Sequence, residues 1–166
     1  MTATASKHET IVQALVDRLE TIAPGTASAY WYQPDRVLAL PAFTEDVLQN
    51  SYSTLWVLSP DIEEHDELTF TTTAAVMRLD VVGARRFARS SDNPYDDAET
   101  RWQGQNKLAQ DGIAALRGDL DLSGSGGAIH VRVTTVERSP EETYHPAWVL
   151  VYLRVEVMYT YADTVP

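Results

Sequence analysis

Cysteine is absent from the 166 residues of this chain, which excludes disulfide bonds, thiolate metal sites and cysteine nucleophiles. Long hydrophobic runs are absent too, and no segment approaches the roughly 18 apolar residues of a membrane-spanning helix. Basic residues are scarce: 13 Lys and Arg stand against 24 Asp and Glu, and the formal net charge is −11. Because phosphate-backbone binding needs clustered Lys and Arg, sequence-independent binding of nucleic acid is not expected. An acidic surface can let nucleic acid pass without sticking, although solubility alone would also explain the charge.

The composition favours one soluble domain. Residues 1–7 lack apolar anchors and are predicted to form a flexible N-terminal tail. The small, polar start gives no sign of a signal peptide, so we expect synthesis in a cytoplasm and no membrane association. With 44% hydrophobic and 22% charged residues, residues 8–166 are predicted to form a single domain.

No cluster of residues points to catalysis, metal binding or cofactor binding. The four histidines are dispersed, and none belongs to a helical His-Glu-x-x-His pair. His65 has the most acidic surroundings, but the segment Asp61 to Glu67 lacks the central glycine of an EF-hand and is predicted to be a solvated acidic loop. The glycine-rich segment 123–127 lacks the Lys-Ser/Thr ending of a phosphate-binding loop. We therefore predict a non-enzymatic protein without catalytic, cofactor or metal sites, although a triad assembled from distant segments stays open.

Hydrophobic periodicity predicts two helices. The first runs from His8 to Ile22 and is ended by Pro24 and Gly25. The second begins with Asn93 as its cap and continues to about Arg117. Its predicted apolar stripe consists of Ala98, Trp102, Ala109, Ile113 and Leu116. Gly104 and Gly112 weaken this helix, so packing must hold it.

Period-two alternation predicts the strands. They are Val37–Leu40 at an edge, Ser53–Ser59, a long strand Leu68–Val82, Ile129–Thr135, and Ala147–Tyr161. At about 3.3 Å per residue the last strand spans roughly 45 Å, so its surplus length is expected to serve assembly. Since helices and strands do not alternate as βαβ units, the predicted fold class is α+β, with a mainly antiparallel β-sheet and two helices packed on one face.

Seven residues are candidates for a partner interface. Three come from the single basic run and four from the mixed face of the last strand: Arg85, Arg86 and Arg89, then Trp148, Tyr152, Arg154 and Glu156. Half-buried aromatic residues are enriched at interfaces. The basic run either docks an acidic partner, such as the acidic segment of a second copy, or balances the nearby Asp92, Asp96 and Asp97.

The order of elements carries a resemblance. It comprises an amphipathic opening helix (Ile11 to Ile22), a proline-bracketed segment ending at Phe43, a β-rich centre, a connecting helix, and a closing strand that includes Leu153 to Tyr161. This layout resembles the tail terminator, or tail-completion, proteins of long-tailed bacteriophages. The resemblance implies a structural virion protein that forms a ring, expected to be hexameric. The ring caps the tail tube, stops its polymerisation and joins the tail to the head connector.

The resemblance also implies partners and a location. The partners are further copies of the chain, the tail tube protein and the head–tail connector or neck proteins. DNA would pass through the lumen without specific binding, and the protein would reside in the virion tail after assembly in the host cytoplasm.

Other hypotheses remain open. The Thr-rich strand from Leu68 and the acidic segment before it depart from the terminator pattern and fit another neck or head-completion (head–tail adaptor) protein. A small ligand-binding or hydrolytic α+β protein would place His130 or His145 beside a carboxylate in a deep pocket. An interaction module outside any virion would form a dimer without a ring.

Overall fold

The structure is a computed structural model, and it describes residues 7–25, 29–49, 52–69, 72–86, 101–120, 129–138 and 148–162. These ranges contain two α-helices, one short 3-10 helix and six strands. The helices are α1 (Lys7–Glu20) and α2 (Arg101–Leu116), with the 3-10 helix at Glu45–Gln49. The strands are β1 (Arg36–Ala39), β2 (Thr54–Thr69), β3 (Thr72–Arg86), β4 (Gly118–Leu120), β5 (Ile129–Arg138) and β6 (Trp148–Ala162). Neither described helix is long and apolar enough to cross a membrane.

The six strands form one sheet in the order β1-β2-β3-β6-β5-β4. Every neighbouring pair is antiparallel except β1 and β2, which run parallel. The predicted α+β class with a mainly antiparallel sheet is therefore confirmed. The strand predicted between two prolines is the edge strand β1, a position where a missing backbone N–H does least harm.

Both helices pack on one face of the sheet, as predicted. Ile11, Leu15 and Leu19 of α1 are fully buried there, together with Leu108 and Leu116 of α2. The strand β6 alternates as its sequence indicates, and one face contributes Val151, Leu153, Val155, Val157 and Tyr159 to this core. The main core therefore lies between the helices and the sheet.

A second, smaller core covers one end of the opposite face. Trp148 and Leu150 of β6 are buried there against Leu55 and Val57 of β2. The 3-10 helix adds Leu48, and the segment after β1 adds the half-buried Phe43. The rest of that face, which carries Tyr152, Arg154 and Glu156, has no helix over it among the described residues and is called the open face below.

The predicted acidic loop is wrong, because β2 continues through it. Strand β2 runs to Thr69, and Ile62 to Glu67 pair residue by residue with β3. The predicted long strand from Leu68 accordingly begins at Thr72. A bulge between Pro60 and Ile62 accommodates the irregularity that Pro60 imposes on the strand. Continuous pairing with β3 then outweighs the low strand propensity of the acidic residues.

The buried stripe of α2 also differs from the prediction. Ala109 and Leu116 are buried as predicted, but Trp102 is 64% exposed, and the buried side also includes Asp111 and Ala115. Small residues decide this orientation, because Gly112 lets the helix approach the sheet closely. A Cβ placed on Gly112 would lie 2.5 Å from Cη2 of Trp56, so this glycine is a packing requirement as well as a cost in helix propensity.

Several predictions concern residues outside those described. They are residues 1–6 of the predicted tail, the helix start at Asn93, the glycine-rich segment 123–127, His145 and Arg89. Lys7, the last residue of the predicted tail, is instead the first residue of α1. Two elements were not predicted: the short strand β4 and the 3-10 helix. The predicted strand Ile129–Thr135 extends to Arg138 as β5.

Candidate assembly surface on the open face

The three central strands are longer than the elements around them. Strands β2 and β3 pair as far as Thr69 and Thr72, and β3 pairs with β6 from Arg86–Trp148 to Thr72–Ala162. Strand β1 covers only Leu55 to Leu58 of β2. Within the described part of the chain, the outer edge of β2 beyond Leu58 therefore has no neighbouring strand. Exposed edges of this kind are templates for pairing with another chain.

Charged residues form the first row of a ladder across the open face. Asp80 and Arg154 lie opposite each other on β3 and β6. Arg154 donates from Nε and Nη2 to Oδ1 of Asp80 at 2.9 and 2.8 Å, and from Nη2 to Asp61 at 3.2 Å. Asp80 raises the pKa of Arg154 through this hydrogen bond and its charge. One guanidinium is thus held between two carboxylates.

The next row reverses the charges. Glu156 lies opposite Arg78 of β3 on one side and Arg132 of β5 on the other. Arg132 donates from Nη2 at 2.6 Å and from Nε at 2.9 Å, and Arg78 donates from Nε at 3.2 Å. Hydrogen bonding to Arg132, followed by that to Arg78, lowers the pKa of Glu156 even though desolvation acts the other way. The two rows fix the orientation of Arg154 and Glu156, which the sequence singled out.

The predicted aromatic residues divide between core and surface. Trp148 is 5% exposed, and the guanidinium of Arg86 lies 5.2 Å from its ring centroid. Tyr152 is 37% exposed, with the ring of Phe43 edge-on at 6.4 Å. Burial, and then the nearby Glu45, raises the pKa of Tyr152. Of the two predicted aromatic residues, Trp148 belongs to the core, and Tyr152 is the one exposed enough to contact a partner.

The predicted basic run does not form one patch. Arg85 lies 3.8 Å from the ring centroid of Tyr32 and donates to Oγ1 of Thr54 at 3.1 Å. Arg86 stacks on Trp148, on the opposite face of the strand. Adjacent strand residues point to opposite faces, so the two guanidiniums are separated by the sheet. The structure thus brings together Arg86, Trp148, Tyr152, Arg154 and Glu156 on one face and leaves Arg85 on the other.

An open groove of about 570 Å³ lies beside the first row of the ladder. Its walls are the segment Pro41–Phe43 and the strands β2, β3, β5 and β6. The polar residues that line it are Ser59, Asp61, Asp80, Thr135, Glu137 and Arg154. Phe43 and Tyr152 supply its aromatic part. Sequence reasoning singled out only Tyr152 and Arg154 of these residues.

A bulge in β5 brings Glu137 to the groove. The register shifts between Val133 and Thr135, so that Glu137 lies opposite Tyr152 while Val136 packs against the main core. Without the bulge, Val136 would face the groove. The apolar residues of this strand are two residues apart up to Val133 and then three residues apart, from Val133 to Val136. This change of spacing in the sequence indicates a bulge, which the prediction did not include.

The enzyme hypothesis requires a histidine beside a carboxylate within a deep pocket, and the described residues meet only the first of these two conditions. His130 Nδ1 lies 3.0 Å from Oδ1 of Asp119, which is the predicted histidine beside a carboxylate. The side chains are 53% and 72% exposed, and neither lines the groove. Among the described residues, no three His, Asp or Glu side chains are arranged to hold a metal ion.

One buried carboxylate serves the fold. Asp111 of α2 is fully buried and accepts hydrogen bonds from the backbone N–H groups of Trp31 and Tyr32, each at 2.8 Å. Burial raises the pKa of Asp111, while the two N–H groups and then Arg85 act against this rise. Because each oxygen holds one backbone amide, Asp111 ties the segment before β1 to the helix. No sequence pattern pointed to the role of Asp111.

A scan against protein-family models gives no match for this chain, and a search of the curated proteins gives none either.

Proposed function

We propose that this protein is a structural subunit of a long-tailed bacteriophage virion. In this proposal it is a tail terminator: copies form a ring, expected to be hexameric, that caps the tail tube and stops its polymerisation. The other side of the ring joins the tail to the head connector or neck proteins. The protein has no enzymatic role in this proposal.

The observation that carries the proposal is the sheet with surplus strand length. The central strands outrun β1, and the outer edge of β2 beyond Leu58 is unpaired among the described residues. A stable monomer rarely leaves a long edge available, because an edge invites pairing with other chains. A head-to-tail contact that repeats through a fixed rotation closes into a ring when that rotation divides a full turn evenly and adds no rise along the axis. The edge therefore supports a subunit built for assembly.

The charge distribution fits a channel for DNA. The net charge is −11, and the described guanidiniums of the ladder are engaged with carboxylates. An acidic ring would repel phosphate groups and let DNA pass without binding. This is consistent with location in the virion tail, with assembly in the host cytoplasm and with no membrane partner.

A head–tail adaptor is the second candidate. The β2–β3 hairpin extends to Thr69 and Thr72, well past the edge strand β1, and it is the part of the chain that departs from the terminator pattern. A projecting hairpin suits insertion into a neighbouring connector. The two roles differ in where the protein binds, at the tube end or at the connector alone.

The test is capping of growing tubes. Purified tube protein is polymerised with and without this protein, and tube lengths are measured by electron microscopy. A terminator shortens the tubes and appears as extra density at one end. Unchanged lengths with bare ends, combined with binding to connector rings, would favour the adaptor; no binding to either would remove both roles.

A further inference from the structure

Each edge of the sheet is covered over only part of its length. At one edge, β1 pairs with residues 55–58 of β2, and residues 59–69 have no neighbouring strand on that side within the described ranges. At the other edge, β4 pairs with residues 129–131 of β5, and residues 132–138 have no described strand beyond them. Each edge therefore presents a short strand beside a stretch of backbone that can accept a further strand.

The two short strands lie at different levels of the sheet. The register across β3 and β6 places Leu58 of β2 level with Val136 of β5, and Glu63 level with Val131. Strand β1 therefore lies at the level of residues 136–138, where the edge of β5 is open, and β4 lies at the level of Glu63, where the edge of β2 is open. The covered part of one edge thus matches the open part of the other.

We propose that the sheets of neighbouring copies of this chain join at these two edges, in what is called the edge joint below. In the edge joint, β1 of one copy pairs with residues 136–138 of the next, and β4 of that next copy pairs with the open part of β2 of the first. The two short strands share one strand position, so that β2 and β5 lie about 10 Å apart, twice the usual strand spacing. The inference rests on the proposed function, because it names the head-to-tail contact that a ring repeats.

The directions of the strands are compatible with the edge joint. Strands β1, β2, β6 and β4 run one way, and β3 and β5 run the other way. Rotation about a ring axis that lies along the strands preserves these directions. Strand β1 then runs antiparallel to β5 of the next copy, and β4 runs parallel to β2 of the first. Both kinds of pairing already occur within the sheet.

The edge joint brings two opposite charges together. Arg36 of β1 and Glu137 of β5 are exposed, and neither has an ion-pair or hydrogen-bond partner among the described residues. The joint places Glu137 directly opposite Leu38 of the next copy, and both residues belong to the open face. Arg36 precedes Leu38 by two residues, so it lies diagonal to Glu137 on that same face.

This charge pair favours a second copy in one particular orientation. Copies with a net charge of −11 repel one another at long range, so their contact needs local attraction. A diagonal pair of opposite charges supplies such attraction and also fixes the register of the joint. Pairing of two like edges across a two-fold axis would not bring Arg36 to Glu137, and it would stop at two copies.

The experiment reverses the two charges. Arg36→Glu and Glu137→Arg are made singly and together in the full chain, and native mass spectrometry follows ring formation over parallel concentration series with and without assembling tube protein. Each single variant should raise the concentration needed for half-assembly by about fivefold, because an attractive cross-strand pair becomes a repulsive one. The double variant restores an attractive pair and should assemble at the concentration of the natural protein.

Mixing the two single variants gives a stricter test. In a ring in which the two variants alternate, every contact again joins one acidic and one basic side chain. An equimolar mixture, with one variant isotope-labelled, should therefore assemble as readily as the natural protein, and its rings should contain equal numbers of both chains. Rings of random composition, or no rescue by mixing, would overturn the edge joint.

Net charge and folding are controlled by the same variants. Arg36→Glu makes the chain more acidic and Glu137→Arg makes it less acidic, so general repulsion alone would help the second variant to assemble. A gain in assembly for Glu137→Arg would therefore overturn the edge joint. The urea midpoint of each variant should stay at the value of the natural protein, because neither side chain has a described partner.

The remaining outcomes separate this inference from the proposed function. Rings that form normally in both single variants would overturn the edge joint and leave the proposed ring to another contact. Loss of assembly in Arg36→Glu alone would indicate that β1 pairs with itself across a two-fold axis, which also overturns the joint. If the natural protein forms no ring in either series, the proposed function fails, and the edge joint fails with it.

Discussion

At the residue scale, one tryptophan sets the distance between helix and sheet. Trp56 of β2 is fully buried, and its indole lies where side chains on Gly83 and Gly112 would otherwise stand. Gly83 belongs to the neighbouring strand, directly opposite Trp56, and Gly112 to α2. Two glycines therefore make the slot for one large ring, and this contact joins the three elements.

The first prediction concerns Gly112→Ala. Helix propensity alone predicts a gain of about 1 kcal/mol. We expect instead a loss of about 1–3 kcal/mol in the free energy of unfolding, since the new Cβ would lie 2.5 Å from Trp56 and 2.6 Å from Leu153. Urea unfolding measures the difference. Ala114→Gly, at an exposed position of α2, is the control and should cost about 1 kcal/mol through propensity.

The second prediction concerns Glu156 and pH. The two arginines hold the pKa of Glu156 below its ordinary value of 4.5. A lowered carboxyl pKa stabilises the fold above the unfolded-state value, and this contribution is lost as pH falls through the folded-state value. Glu156→Gln should therefore cost about 1 kcal/mol at neutral pH and low salt. The gap between the variant and the natural protein should close below about pH 4.

Unfolding midpoints in urea, measured across that pH range, test this expectation. Glu137→Gln is the matched control, because it removes a carboxylate from the same face where no described partner is lost. Its stability should stay within about 0.5 kcal/mol of the natural protein. A gap for Glu156→Gln that persists at low pH would mean that the shape of the side chain, and not its charge, matters.

Sequence patterns reveal some of these residues and hide others. Alternation along β6 placed Tyr152, Arg154 and Glu156 on the mixed face, because period two follows from strand geometry. Their partners Asp80 and Arg132 stayed hidden, since a partner depends on which residue lies opposite. That register is set by pairing across long stretches of chain and by bulges, which no single segment encodes.

At the element scale, strand length is the feature that matters. Long periodic segments such as β6 and α1 were predictable, because a sustained hydrophobic pattern determines one structure. Strand β2 was not, because Pro60 and five acidic residues between Asp61 and Glu67 are typical of a loop. This segment is a strand because it pairs with β3. Such pairing depends on another segment of the chain and cannot be seen in the local sequence of β2. The groove likewise depends on Phe43, whose position follows from the small second core.

The third prediction tests that β2 continues as a strand with an open outer edge. Successive N–H groups of a strand point to opposite sides, so of Glu64 and His65 one donates toward β3 and the other toward the edge. Glu64→Pro and His65→Pro should therefore differ. One should destabilise the fold by about 3 kcal/mol, while the other leaves the monomer stable and impairs assembly.

Thermal unfolding and size measurements on both variants check this expectation. Equal tolerance of proline at both positions, in stability and in assembly, would mean that the segment behaves as a loop. If one variant loses stability and the other assembles normally, the outer edge of β2 does not take part in assembly. The open face would then be the remaining candidate for the interface.

At the scale of the whole molecule, the described residues form a sheet with one face covered by the two helices and part of the other face without a helix over it. The helices cover the main core, while the open face presents a charge ladder and a groove. The net charge of −11 opposes the association of copies at long range, so the proposed ring requires directional contacts that overcome this repulsion. The outer edge of β2 is therefore the feature on which the proposed assembly role depends.

The most direct measurement is native mass spectrometry of the purified protein over a concentration series, alone and with assembling tube protein. Six-fold species, alone or only in the presence of tubes, are the expected result and would support the ring at the centre of the proposed function. A monomer or dimer that persists under both conditions would contradict the ring, and with it the tail-terminator role.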